Sequence, residues 1–438
     1  MIGSFSKPRQ RSSRSAIRAV CHLLFIIGTS QAIAADVDRL VEHALRHNPE
    51  LRAARARADA ADARVASAGA LDDPMLEAGV VNAPLPFSLR REDMTMQMVA
   101  VSQRLPYAGK RELRRNLAAA EASGVESVAD ELANRLRRDV RAGYADLELA
   151  AAMARLNRRT LEDLRRAAEI AEQRFAVGKA TQIDVLMAQS QVARSGQIQV
   201  RLDRDEVSRR SELTHMVLED FDESAPLEVG DPMLLPEPDA VAGALIERAE
   251  HARPALRARL AEQERSAAAI ALARREYYPD VDIKLGYGIR RAMLDGTKRD
   301  DVVSLTFAVN LPIWRKNKLE PRVAEARAAG VEARDMIERE RHDIRGSIEQ
   351  SLATVKAERS AELLARTQLL PQLRAALASA EEAYQSSKSD LTQLIELRTQ
   401  INEAETNRLV AITAHNRAVI EIDYLTGAKT PAAAGDKP

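Results

Sequence analysis

Phe175-Ala-Val-Gly-Lys-Ala-Thr-Gln-Ile-Asp-Val-Leu-Met-Ala-Gln189 interrupts what would otherwise be one very long helical run. From about Glu112 to Arg174 there is no proline, and the only glycines are Gly124 and Gly143. Val177-Gly178 then breaks the pattern, which resumes to about Leu218. A glycine between two helix-forming runs is suited to a left-handed C-cap. Thr181 and Asp184 suit the cap or first turn of the next helix. The stretch therefore predicts a helical hairpin, and its first arm, at 1.5 Å per residue, would be roughly 96 Å long.

The pattern returns 209 positions later. Tyr384-Gln-Ser-Ser-Lys-Ser-Asp-Leu-Thr-Gln-Leu-Ile-Glu396 lies between two further runs, about Leu319–Tyr384 (with a kink expected at Pro371) and Asp390–Tyr424. Phe175 matches Tyr384, Lys179 matches Lys388, Leu186 matches Ile395 and Gln191 matches Gln400. The chain reads as a tandem duplication of one unit.

Composition supports narrow helical bundles. Charged residues make up 30% of the 438-residue chain and aromatics 3%, too few for a thick globular core. The 65 basic and 65 acidic side chains cancel, which gives no argument for a nucleic-acid partner. Lys7, Arg9, Arg11, Arg14 and Arg18 form a basic n-region. Ala19–Gly28 is a short apolar h-region, and Ala32-Ile33-Ala34 offers a cleavage site. Residues 1–34 thus read as a signal peptide. The single cysteine, Cys21, lies inside it and ahead of most of the apolar run, which argues against a lipid anchor there. A mature chain from near Ala35 has no cysteine, hence no disulfide framework and no thiolate metal site. No later stretch approaches about 18 apolar residues, so no transmembrane helix is expected.

The first repeat spans 35–219. Asp36–Arg46 is a short amphipathic helix; Asn48 and Pro49 restart it, with Pro49 at the first helical position, and Leu71-Asp72-Asp73-Pro74 ends it. Strands are expected at about 75–82 and 95–103, joined by a polar, proline-containing loop, with the hairpin tip at about 175–184. Residues 220–238, rich in Asp, Glu and Pro, read as a linker. The second repeat spans 239–427, with strands at about 281–288 and 302–311 and a tip at about 384–393. Val281, Ile283, Leu285 and Tyr287 alternate with Asp282, Lys284, Gly286 and Gly288. Val303, Leu305, Phe307, Val309 and Leu311 alternate with Ser304, Thr306, Ala308 and Asn310. This is the period of a strand with one apolar face. Tyr287 and Trp314 suit a membrane interface. Residues 428–438 read as a disordered tail.

The fold class is mainly α with a small β part: duplicated long hairpins and four strands per chain. Four strands cannot close a barrel, and lipid does not tolerate an open sheet edge. Three copies would give twelve strands, within the range of membrane barrels, with the helices continuing as a periplasmic barrel. Stripes such as Ala118–Ala122 and Ala324–Ala329 let helices pack closely in its wall. The opposing reading is a soluble four-stranded sheet under helices, but no third layer is left to cover its apolar face.

The duplicated strand–loop–strand and hairpin, with tips Phe-x-x-Gly-x-x-Thr-x-x-Asp-Val-Leu and Tyr-x-x-Ser, resembles the TolC family of outer-membrane efflux channels across roughly Asp36–Gly427. Ser102–Arg111, Tyr277-Tyr278-Pro279-Asp280 and Val309–Lys316 resemble its heavy-metal branch, similar to CzcC and CusC channels. The resemblance implies a homotrimeric outer-membrane duct reaching through the periplasm, passive and without enzymatic activity or cofactor. Its partners would be outer-membrane lipid, a periplasmic adaptor and an inner-membrane resistance-nodulation-division (RND) pump. It implies an adaptor-contact tip at Val177, Gly178, Lys179, Ser387 and Lys388. It also implies a periplasmic gate drawn from Asp184, Asp390, Gln393 and Glu396. Gln393 replaces an acidic residue of the family pattern, which puts a double acidic ring in doubt. For each gate residue a helix cap or a solvated charge is the competing reading.

Other chemistry is sparse. His43 and His47 stand four apart on a helix but lack a third metal ligand nearby in sequence. Met94, Met96 and Met98 alternate; thioethers favour Cu(I), yet in a strand they are most simply placed outward to lipid. Asp300-Asp301 sits in a loop that could attract cations. No phosphate loop, zinc-protease motif or hydrolase triad is present, and no catalytic, cofactor or metal residue is assigned. The expected function is a passive exit duct for heavy-metal cations. The alternatives are a duct for drugs or other small organic molecules, or a periplasmic coiled-coil adaptor or scaffold.

Overall fold

The structure is a computed structural model that describes residues 37–218, 229–238, 241–386 and 390–427. The expected signal peptide, residues 220–228 of the linker, Ser387 and Lys388 of the second tip, and the expected tail lie outside the described residues. The first repeat runs α1 (37–47), α2 (Pro49–Ala68), β1 (Met75–Val81), β2 (Met96–Leu105), α3 (Lys110–Ala176) and α4 (Gln182–Val217). The second runs α5 (Ala242–Ala252), α6 (Pro254–Arg275), β3 (Val281–Ile289), β4 (Val302–Val309), α7 (Glu320–Leu364), α8 (Leu370–Gln385) and α9 (Leu391–Leu425).

Helix α3 has 67 residues and is about 100 Å long at 1.5 Å per residue. Its end is a left-handed glycine cap. Gly178 adopts φ +72°. Its N–H donates to the Phe175 carbonyl at 2.9 Å, and the Lys179 N–H donates to the Arg174 carbonyl at 2.8 Å. That pair of bonds closes the last turn, and glycine takes the positive φ without a Cβ clash. Thr181 then caps α4 in a reciprocal box with Asp184.

Pro371 does not break the second arm where the sequence implies a kink. A π-helical turn over Ala365–Leu369 stands just ahead of it, and the Leu370 N–H donates to the Ala365 carbonyl five residues back. The extra residue widens the ladder where proline supplies no N–H. A second π turn, Arg315–Leu319, leads into α7.

The four strands form one antiparallel sheet in the order β1-β2-β3-β4. β1 pairs β2 from Met75↔Ser102 to Val81↔Met96. β2 pairs β3 from Gln97↔Ile289 to Leu105↔Val281. β3 pairs β4 from Val281↔Val309 to Gly288↔Val302. The central ladder therefore joins the first repeat to the second.

Packing divides the chain into two compact units, each drawing on both repeats. One comprises Glu50–Leu132 and Ala252–Asp343 and contains the sheet. The other comprises the described parts of Met1–Pro49, Ala133–His251 and Ile344–Pro438. In the second unit, Leu40 and Ala44 of α1, Val140 and Leu147 of α3, and Leu213 and Val217 of α4 make a closed apolar cluster. The segment expected to be a linker is docked there over its described part. Asn416 of α9 accepts from the Leu235 N–H and donates to the Met233 carbonyl, both at 2.8 Å. Arg155 donates to the carbonyls of Val229 and Gly230 and to Asp231.

Glu148 lies on α3 in the same unit and is 7% exposed. Burial lifts its pKa from 4.5 to about 7, with Arg155 pulling the other way. The native state thus holds this proton more tightly than the unfolded chain, so stability falls as pH rises from about 4.5 to about 7. The whole span is worth on the order of 3 kcal/mol. Glu148→Gln is expected to remove that slope; denaturant midpoints measured between about pH 5 and about pH 8 for both proteins check it.

Candidate functional site

The sheet presents two chemically distinct faces. Cross-strand pairs Leu285↔Leu305, Ile283↔Phe307 and Tyr287↔Val303 build one face. Val99 and Val101 extend it across β2, and Leu76 and Val80 across β1. These side chains lie open: Phe307 is 59% exposed, Val303 67% and Leu76 69%. A contiguous apolar surface of this extent is stable against lipid or a partner, not against water. Strands β1 and β4 each pair on one side only, so the sheet has two open edges.

The other face is polar. Glu77 pairs with Lys284, and Arg104 with Asp282 at 3.3 Å. Ser304 and Thr306 share this face through their pairing with Gly286 and Lys284. Met96 and Met98 belong to it too, which corrects the outward placement expected from alternation. Atoms built as Cβ on Gly288 and Gly286 would stand 2.5 Å from the Met96 Sδ and 2.8 Å from the Met98 Cε. The two glycines leave hollows that the thioether chains fill, and that packing fixes the register of β2 against β3. Met94 precedes the strand and is exposed.

The connections at one end of the strands are laced by arginine. Arg299 donates to the carbonyls of Leu89, Glu92 and Asp93 in the first connection. Arg90 reaches the other way, to the carbonyls of Ala292 and Met293. Asp301 is taken up locally: the Tyr287 hydroxyl donates to it at 2.6 Å and the Arg290 N–H at 3.0 Å. Those bonds hold its carboxyl below the usual carboxylate range. Its carboxylate is thus engaged with protein donors.

At the other end, a buried polar clamp ties the turn from β2 into α3 to the turn from α6 into β3. Lys110, 4% exposed, donates through Nζ to Asp280 Oδ1 and to the Tyr278 carbonyl, both at 2.7 Å. The Tyr107 N–H donates to the same carboxylate at 2.9 Å. Asn310 accepts from the Asp280 N–H. Burial raises the Asp280 pKa, but the Lys110 and Tyr107 bonds outweigh it, and the net shift is downward. Tyr107 and Tyr278 stack at 4.6 Å, with the Arg275 guanidinium 5.3 Å from the Tyr107 ring centre. The sequence carried a signal for this clamp in its repeated Leu-Pro turns and Tyr-Tyr-Pro-Asp run, but not the pairing of Lys110 with Asp280.

At the hairpin tips, Val177 (67% exposed), Gly178 and Lys179 stand open to solvent. Of the proposed gate residues, Asp184 and Asp390 act as local caps. Asp184 accepts from the Thr181 N–H at 2.8 Å, and Asp390 accepts from the Gln393 N–H at 3.0 Å. Gln393 and Glu396 are exposed, and Glu396 accepts from Gln400 at 3.3 Å. Each of these bonds stays within its own hairpin. Near the tips Arg174, which sequence reasoning missed, joins the hairpins, and farther along Arg398 pairs with Asp163 and Thr160 donates to Asn402. Arg174 donates to the Tyr384 carbonyl at 2.6 Å and lies 4.2 Å over the Tyr384 ring. Around them pack Ala168 and Ala171 of α3, Ala188 of α4, and Leu391, Leu394 and Ile395 of α9. Burial pushes the Tyr384 hydroxyl pKa up, against the pull of Arg174.

Among the described residues, no group of three or more His, Cys, Asp or Glu side chains is placed to hold a metal ion. His43 and His47 stack ring on ring at 4.2 Å, and His47 Nδ1 donates to the His43 carbonyl at 3.0 Å. No helix among the described residues is long and apolar enough to cross a membrane.

The family model described as outer membrane efflux protein matches residues 40–217 and 245–428. Solved structures share the fold. The outer-membrane channel OprN is 19% identical, with a TM-score of 0.77 over 90% of each chain. CusC, whose structures concern transmembrane channel formation, is 14% identical, with a TM-score of 0.77 over 90% of this chain and 92% of its own. The outer membrane protein VceC from Vibrio cholerae is 18% identical, with a TM-score of 0.75 over 91% and 97%. No curated protein matches the chain in sequence.

Lys110→Ala leaves the Asp280 carboxylate partly buried without its ammonium partner. The expected loss is about 3 kcal/mol, the cost of breaking a buried pair from one side. Lys110→Ala combined with Asp280→Asn should recover part of it. Denaturant midpoints of the two variants against the parent decide the point.

Proposed function

We propose, on the premise that the chain belongs to the outer membrane efflux protein family and lies in the outer membrane as an efflux channel, that it works as a homotrimeric exit duct for heavy-metal cations within an RND-type tripartite system. The reading of its assembly rests on one observation: a four-stranded sheet with an exposed apolar face and two open edges. In lipid every backbone N–H and C=O needs a partner within the protein. Edge β1 of one copy against edge β4 of the next satisfies both, and three copies make a twelve-stranded barrel. The apolar face then meets lipid, and the face with Glu77, Lys284, Ser304 and Thr306 lines water.

The duct is passive and transforms no substrate; an inner-membrane pump supplies the energy. Val177, Gly178 and Lys179, together with Ser387 and Lys388, form the surface for the adaptor. Asp184, Asp390, Gln393 and Glu396 border the periplasmic mouth, a role added to the local helix caps that Asp184 and Asp390 make. The metal cargo is supported by the sequence resemblance of Ser102–Arg111 and Val309–Lys316 to the heavy-metal branch.

Deleting the gene is expected to sensitise the cell to copper, silver, zinc, cobalt or cadmium salts and to leave tolerance of organic antibiotics unchanged. The reverse pattern would assign the duct to organic cargo, and no change in either would sink the efflux role. Val177→Cys in the mature protein should form a cross-link to the cognate adaptor through a short bifunctional reagent. Phe307→Arg, which puts a charge on the lipid face at a cost of about 2–4 kcal/mol near mid-membrane, should lower the yield of detergent-extracted trimer.

A further inference from the structure

The second unit holds a partly open pocket of about 530 Å³. Its walls come from α1, α3, α9 and the docked 229–238 segment, and none of them belongs to the strands or the hairpin tips. The apolar wall is made by Tyr144, Met233, Leu235, Pro236, Val419 and Ile420. Five carboxylates also border it: Asp38, Glu148, Asp231, Glu237 and Asp423.

Four of the five have a cation in contact. Asp38 takes the Arg141 guanidinium at 2.8 Å, and Asp423 lies 3.9 Å from the same side chain. Asp231 takes Arg155 at 2.8 Å, and Glu237 takes Arg359 at 2.9 Å. Glu148 differs. It is 7% exposed, and no described hydrogen bond or ion pair reaches its carboxylate. Arg155 attracts it through space only, its guanidinium being turned to Val229, Gly230 and Asp231.

A partly open, mostly apolar cleft of this size with one unmatched acid has the build of a small-molecule site. The unmatched group is an acid, so the complementary ligand carries a positive charge and hydrogen-bond donors on an apolar body. We propose that this cavity binds a small amphiphilic cation, an aromatic or alicyclic amine whose ammonium group meets Glu148 and whose body lies against Met233, Leu235, Val419 and Ile420. The inference goes beyond the proposed exit duct and does not rest on it.

Proton competition follows from the same geometry. Burial keeps the free Glu148 carboxyl protonated up to about pH 7, so the amine gains its counter-ion as pH rises past that point. The other charges around the cavity are Arg141, Arg155, Arg248 and Arg359 and the four paired carboxylates. Among those, Asp423 is also raised by burial, against the pull of Arg141 and Arg248, and it needs its own control.

The full mature protein in detergent is titrated with 2-naphthylmethylamine and with the neutral 2-naphthylmethanol by calorimetry. At about pH 8 the amine should bind at least roughly tenfold more tightly than the alcohol, the gain of one charge-assisted contact. That preference should shrink between about pH 8 and about pH 5.5. Glu148→Gln should erase both the preference and its pH dependence, with helical circular dichroism and elution volume unchanged. Glu148→Asp should keep part of the preference, and Asp423→Asn should keep all of it. Absence of amine binding, equal affinity for the two compounds, or a preference that survives Glu148→Gln or disappears with Asp423→Asn would overturn the proposal.

Discussion

The hydrogen-bond ladder between β2 and β3 is where the duplicated chain becomes one sheet. Each repeat supplies one hairpin of strands, and two isolated hairpins would be marginal at best. Pairing Gln97–Leu105 with Val281–Ile289 doubles the sheet and aligns the apolar positions of both repeats on one side. A slip of one residue would turn Val99 and Val101 to the polar face. Two devices hold the register. Met96 and Met98 fill the hollows left by Gly288 and Gly286. Below the ladder, Lys110 of the first repeat is locked onto Asp280 of the second.

That clamp is expensive to desolvate and therefore specific. A lysine and an aspartate out of water need close geometry and further hydrogen bonds to break even. Here the Tyr278 carbonyl and the Tyr107 amide supply them. A mismatched pairing of the turns would leave both charges buried alone. The clamp thus selects one pairing of the β2–α3 turn with the α6–β3 turn more than it adds stability.

The tips follow a different logic. Their acidic residues are used first to begin helices: Asp184 serves Thr181, and Asp390 receives the Gln393 amide. A carboxylate at a helix N-terminus is stabilised by the unpaired amides and the helix dipole. A role at a periplasmic mouth would be added to that local task. Next to the tips the hairpins meet through Arg174 and Tyr384, a planar cation over a ring with a hydrogen bond to the backbone behind it.

The sequence by itself determined the elements. Gly178 between two helix-forming runs, the matching Tyr384 run, and the alternation of Val281–Tyr287 and Val303–Val309 follow from local backbone and side-chain preferences, so periodicity reveals them. The family likewise followed from the order and duplication of those elements. Only the tertiary structure decided which way Met96 and Met98 face, because their side is set by two glycines nearly two hundred positions away. It alone showed that Lys110 meets Asp280, that Arg174 meets Tyr384, that a π turn takes up Pro371, and that Glu148 is buried beside a cavity. The π turn is a local adjustment of the helix ladder; the others depend on contacts between segments distant in the chain, and periodicity carries no information about which distant segments meet.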